Sequence, residues 1–178
     1  METSSPRRST STPALSTSTL TLGRPAFVHY FEGGAHARRP RGFVAGSDVI
    51  GELDGEAAQL IVEAARAWDG GGGATAVIEF LSGAVQDVAA DATAFPWRRH
   101  AACIQWYAEP TTPEGVGTAI RWLAGAHRSV RASSVGGYVN YLESGTPAER
   151  YFAGNPARLE VIRRTCDPGR VMSTGPVP

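Results

Sequence analysis

The residues best equipped for chemistry lie in Gly137-Tyr-Val-Asn-Tyr-Leu-Glu143, where two phenols flank a carboxamide. A phenol ionises near pH 10, so Tyr138 or Tyr141 accepts a proton near neutral pH only where donors or positive charge stabilise the phenolate. In a regular strand Tyr138 and Asn140 share one face while Tyr141 points to the other. The two phenols therefore meet at one site only if the strand bends or has ended. The alternative is that Tyr138, Tyr141, Tyr151 and Phe152 are half-buried aromatics of a sheet, as most strand tyrosines are.

The other reactive side chains form no pattern. His29, His36, His100 and His127 share no spacing that a metal site on one helix or hairpin requires, so no metal is expected. Cys103 and Cys166 are far apart and belong to no CxxC or Cys/His motif, which reads as two small apolar residues. Arg98 and Arg99 could contact an anionic group but equally suit a solvated surface. The glycine run at 70–73 lacks a following GK[ST] and any GxGxxG pattern, and it follows a helical stretch, so a flexible turn is expected there and not a phosphate loop.

The elements that must position these residues follow from periodicity. Asp54 is a good N-cap, and Ala57, Ala58, Leu60, Ile61, Ala64, Ala65 and Trp68 recur at helical spacing behind it. A short extended piece at 42–46 precedes that helix, and a β-rich stretch runs from Thr75 to Leu81. From Ala101 to Tyr107 alternation puts Ala101, Cys103, Gln105 and Tyr107 on one face and Ala102, Ile104 and Trp106 on the other. Pro113 opens a helix through Ile120, Trp122, Leu123 and Ala126, and Pro156 opens a last helix that Asp167-Pro168 ends. That last helix is expected to pack on the sheet through Leu159 and Ile162. Phe27 to Phe31 suits a short strand, broken by Gly33, Gly34 and the basic run at 38–41. The order implies an α+β layer, a mostly antiparallel sheet with helices packed on one face.

Bulk properties narrow the class. The 178 residues suffice for a single domain that buries roughly 70% of its unfolded surface. Hydrophobic residues make up 42% and charged ones 19%, an ordinary globular composition. Seventeen basic residues, all Arg, balance 17 acidic ones, so no net field draws nucleic acid or anionic lipid. No apolar run reaches the ~20 residues needed to cross a bilayer, and the first residues lack a signal-peptide core. A soluble, cytoplasmic chain without membrane or nucleic-acid partners is the expectation. Residues 1–24, almost wholly Ser, Thr, Pro and Arg with scattered Leu, read as a disordered tail.

Gly137 to Glu143, then Tyr151-Phe-Ala-Gly-Asn155, Arg158-Leu159 and Asp167-Pro168, in this order, resemble the C-terminal signature of the berberine-bridge-enzyme-like FAD-linked oxidoreductases. Upstream, Ala92-Thr-Ala-Phe-Pro-Trp-Arg98 resembles the family's Ala-Phe-Pro-His-Arg turn, and Ile104-Gln-Trp106 its Ile-Gln-aromatic strand. The similarity covers about Phe43 to Met172. Departures are Trp97 where His is common, Glu143 for Asp, Pro156 for an aromatic and Cys166 for Tyr.

The resemblance implies that the chain is the C-terminal half of an FAD-linked oxidase fold: residues 25–135 part of a substrate domain, residues 136–178 a berberine-like segment. It implies oxidation of an alcohol-type small-molecule substrate by hydride transfer to FAD, with O2 as acceptor. Tyr138 would be the base, Gln105 its closest polar companion across the sheet, Tyr141 a neighbour of the same site, and Asn140 a donor towards the flavin edge or a prop for the backbone. The family's covalent flavin anchors and a pyrophosphate loop are missing here, so an FAD-binding domain or chain would be a partner, without which the chain would be inactive. Two other readings stay open: a truncated, non-catalytic remnant or interaction domain, and a stand-alone ligand-binding domain that dimerises through its sheet.

Overall fold

The computed structural model describes residues 42–172; the expected tail, the expected strand at Phe27 to Phe31, and His29 and His36 lie outside the described residues. Four strands form one sheet in the order β2-β3-β1-β4, with every pairing antiparallel. They are β1 (Val44–Ile50), β2 (Gly72–Phe80), β3 (Ala102–Pro110) and β4 (Ser134–Gly136). Helix α1 (Gly55–Arg66) links β1 to β2 and α2 (Gly115–Ser129) links β3 to β4. A short α3 (Glu149–Phe152) and a final α4 (Pro156–Cys166) complete the described chain. The fold class is the expected α+β. The boundary expected between residues 135 and 136 falls inside β4.

One sheet face carries the main core. Ile50, Ile104, Trp106 and Ala108 meet Ile61 and Ala64 of α1 and Ala119, Trp122, Leu123 and Ala126 of α2, all buried. The Asp54 carboxylate caps α1 by accepting the Ala57 N–H at 2.8 Å, satisfying a donor that the first turn leaves orphaned. Trp122 locks the two helices together: its indole N–H donates to the Ala64 carbonyl at 2.9 Å. β3 alternates as its sequence predicts, with Ala102, Ile104 and Trp106 under the helices and Cys103, Gln105 and Tyr107 on the other face.

That second face is covered only in part. Val49, Leu81, Trp97 and Cys103 form a smaller buried cluster, with Val85, Phe95, Tyr138 and Ala153 packed at its margin. The cover comes from the connection between β2 and β3 and from the chain just after β4. Elsewhere on this face Thr75 and Glu79 are exposed, while Val77, Gln105 and Tyr107 are half-buried.

Four expectations are corrected. The extended piece at 42–46 continues to Ile50 and is a central strand, because Gly46, Ser47 and Asp48 find partners in β3 despite their poor strand propensity. Only half of the glycine run is a turn: Gly70 and Gly71 bend the chain, but Gly72 and Gly73 pair with Pro110 and Glu109, and Gly72 has φ +92°, with its missing Cβ 2.0 Å from the Glu109 carbonyl oxygen. The segment after Gly136 leaves the sheet and closes a single 3-10 turn, Val139–Tyr141. Lastly, α4 has the expected bounds but buries none of its residues. It lies against the 90–94 loop, where Asn155 donates to the Ala90 and Thr93 carbonyls at 3.3 and 3.4 Å and Arg158 donates to the Asp91 carbonyl. Ile162 is 46% exposed. Among the described residues no helix is long and apolar enough to cross a membrane.

Candidate functional site

The turn that bears the two phenols is held at both ends. At its start, the Ser47 hydroxyl, fully buried in β1, accepts the Tyr138 N–H at 2.7 Å. Trp97 donates its indole N–H to the Gly137 carbonyl at 2.9 Å, and the Gly137 N–H donates to the Arg150 carbonyl at 2.7 Å. Gly136 must be glycine, since a Cβ there would stand 2.2 Å from the Trp97 ring. Within the turn the Tyr141 N–H donates to the Tyr138 carbonyl at 2.9 Å, and at its end the Glu143 N–H donates to the Tyr151 hydroxyl at 2.9 Å.

The 3-10 turn answers the question that alternation poses. Because the strand has ended, Tyr138 and Tyr141 come together, their rings edge to face at 5.5 Å. Tyr138 also meets Phe95 edge to face at 5.7 Å, and Arg98 stacks over that Phe95 ring at 5.0 Å while donating to the Thr93 hydroxyl and Phe95 carbonyl. Together Tyr138, Phe95, Arg98, Leu81, Val85, Cys103 and Glu79 line an open cavity of about 330 Å³ on the less covered sheet face.

The polar companion of Tyr138 differs from expectation. Asn140 Nδ2 donates to the Tyr138 phenolic oxygen at 2.8 Å, and no hydrogen bond joins Tyr138 to Gln105 among the described residues. Gln105 stands on the same face, half-buried, between Ser47 of β1 and Val77 of β2. The phenol of Tyr141 is pushed up from its ordinary value, by burial first and then by the nearby Glu79 carboxylate, Cys103 and Tyr138, so Tyr141 holds its proton. Cys103 is likewise pushed up, to about 12, by burial and by Glu79 and Asp48, and remains a thiol.

Beneath the sheet, on the helix-covered face, lies a polar network that no motif announces. Asp48 is 1% exposed and accepts four hydrogen bonds. Oδ2 takes the Trp106 indole N–H at 2.8 Å and His127 Nδ1 at 2.6 Å; Oδ1 takes the Ser134 hydroxyl at 2.6 Å and Arg150 Nη2 at 2.9 Å. His127 Nε2 reaches Glu143 Oε2 at 3.0 Å, so the imidazole bridges two carboxylates and donates from both nitrogens as a cation. Burial alone pushes His127 down, but the hydrogen bonds and charges of Asp48 and Glu143 outweigh it and hold the group at about 9. For Asp48 burial pushes up, and the hydrogen bond and charge of His127, with Ser134 and Trp106, bring the carboxyl down to about 2. Glu143 Oε1 is buried beside Gly46 without a donor among the described residues. One signal of this network is legible: His127 follows Leu123 by four residues and so falls on the buried stripe of α2.

Whether these residues suit a flavin dinucleotide depends on the phosphates. The turn between β1 and α1 carries Glu52 and the capping Asp54, and Glu114 precedes α2, so the two helices that cover the sheet begin at carboxylates and repel a pyrophosphate. Neither of these helix N-termini is therefore a pyrophosphate cradle. Among the described residues there is also no group of three or more His, Cys, Asp or Glu side chains able to hold a metal ion.

No protein-family model and no curated protein matches the sequence. Solved structures do. The chain is similar to wild-type BBE-like 1 of Physcomitrella patens, with 19% identity and a TM-score of 0.64, covering 74% of this chain and 29% of that one. It is similar to the glucooligosaccharide oxidase of Acremonium strictum, with 20% identity and a TM-score of 0.66, covering 82% and 36%. It is also similar to the xylooligosaccharide oxidase of Myceliophthora thermophila, solved with xylobiose, with 19% identity and a TM-score of 0.65, covering 84% and 37%. The chain thus spans about a third of the length of these proteins, and at such identities the likeness is one of fold. Its antiparallel sheet with helices on one face is the fold of a partial region of the FAD-linked oxidases.

Proposed function

We propose that this chain forms the substrate-side wall of an FAD-linked oxidase acting on an alcohol, of the sugar type that the similar oxidases carry in their names, with O2 as final acceptor. The observation that carries this reading is the Tyr138 phenol on the less covered sheet face, beside an open cavity, with its oxygen already engaged by Asn140 Nδ2. A phenol oxygen that accepts from Asn140 turns its own O–H elsewhere, and the geometry suits exchange of a proton with a substrate hydroxyl. Tyr138 is accordingly the base. Tyr141, whose phenol keeps its proton, serves as wall and donor, and Gln105, on the same face, is a contact for substrate hydroxyls. Bound FAD would supply the hydride acceptor, and an FAD-binding domain or chain outside the described residues would hold it.

The test is to combine the full chain with an FAD-binding domain and add sugar-type alcohols without oxygen. Loss of flavin absorbance that requires this chain supports the reading. Absence of any alcohol-dependent change in a flavin-loaded complex would favour an interaction domain that has lost catalysis.

A further inference from the structure

The geometry points to His127 as a positioning residue for the Tyr138–Tyr141 turn, one that ties Glu143 at the end of the turn to Asp48 buried in the sheet; the inference rests on the reading of Tyr138 as the working base. The start of the turn is fixed by neutral contacts from Ser47 and Trp97. Its end is fixed by the Tyr151 hydroxyl and by an ionic bridge, with His127 2.6 Å from Asp48 and 3.0 Å from Glu143.

The stability that the bridge contributes is partly offset, because Asp48 and His127 give up solvent and Glu143 keeps one oxygen buried without a donor among the described residues. The bridge also supplies location. Asp48 cannot move, because Trp106, Ser134 and Arg150 hold it within β1 and its neighbours. The imidazole is a flat spacer with donors on opposite edges, so it places the Glu143 carboxylate at a set distance from the sheet. A carboxylate reaching its buried partner through one rigid cation has few other arrangements, and Gly46 leaves it room: a Cβ there would lie 2.9 Å from Glu143 Cδ and 3.0 Å from His127 Nε2. The charged groups around His127 are Asp48 from β1, Glu143 from the turn, Arg128 on its own helix, Arg131 beyond that helix, and Arg150 from α3. The cations among them oppose protonation of His127, and the two carboxylates in direct contact prevail.

The experiment is residue-resolved amide exchange on the full chain, comparing wild type with His127→Gln and Glu143→Gln. Both variants should release the Tyr141 amide roughly tenfold faster at neutral pH, as expected for losing a hydrogen bond to a charged group, while β3 amides change in neither. In wild type the Tyr141 amide shift should move with the alkaline deprotonation of His127 at about 9, and that transition should be absent in His127→Gln. Unchanged Tyr141 exchange in Glu143→Gln, or acceleration only in step with β3, would overturn the assignment even if His127→Gln failed to fold. Because no turnover is measured, this outcome is separate from the outcome for the oxidase reading.

Discussion

The Trp97 indole N–H donates to the Gly137 carbonyl at 2.9 Å, fully buried, across 40 residues of sequence. This bond joins the Phe-Pro-Trp turn to the residue before Tyr138, so two segments that look like separate motifs are one structural unit. Trp97→Phe keeps most of the ring but strips a buried carbonyl of its donor, and it should cost about 1–3 kcal/mol in denaturant unfolding. Gly136→Ala, which drives a methyl into the Trp97 ring, should cost about as much or more. A midpoint unchanged by both would show that the unit is not closed in solution.

Stability should depend on pH in a definite direction. His127 is raised from 6.5 to about 9, so its contribution is complete below 6.5 and is lost as pH rises through 9. Asp48 is lowered from 3.8 to about 2, so its contribution is complete above 3.8 and is lost as pH falls through 2. Urea midpoints should therefore be highest between these limits and decline on both sides. In Glu143→Gln, which removes one of the two carboxylates on the imidazole, the alkaline decline should be smaller and should end at lower pH. A wild-type midpoint that stays flat from 6.5 through 9 contradicts the bridged cation.

Helix α4 offers a contrast between pattern and packing. Ile162→Ala should change stability by less than about 0.5 kcal/mol, since that side chain is largely exposed. Asn155→Ala, which removes the donor to the Ala90 and Thr93 carbonyls, should raise protease sensitivity in the 90–94 loop. The opposite order of effects would restore sheet packing through Ile162.

These comparisons show where the sequence is legible. Local rules located what local chemistry determines: the Asp54 cap, the alternation of β3, and α4 opening at Pro156. They failed where a distant partner decides. Gly46, Ser47 and Asp48 make a strand only because β3 flanks them, and Gly72 enters β2 because the Glu109 carbonyl leaves no space for a side chain. The Asp48 network draws on residues 79, 86 and 102 positions away, and nothing in the spacing of His127, Ser134 or Arg150 records a common acceptor. For the phenol site the sequence showed the residues but not their pairing: the 3-10 turn puts Asn140, two positions on, against the Tyr138 oxygen where Gln105 across the sheet was expected.

The central claim is that Tyr138 is the proton acceptor of an oxidase site, and the direct measurement is the rate of alcohol-driven flavin reduction in a complex of the full chain with an FAD-binding domain. Tyr138→Phe should slow it by about 10²–10⁴-fold, the usual effect of losing a general base, with FAD content unchanged. Reduction at a near-normal rate in that variant would remove Tyr138 from the chemistry and contradict the account.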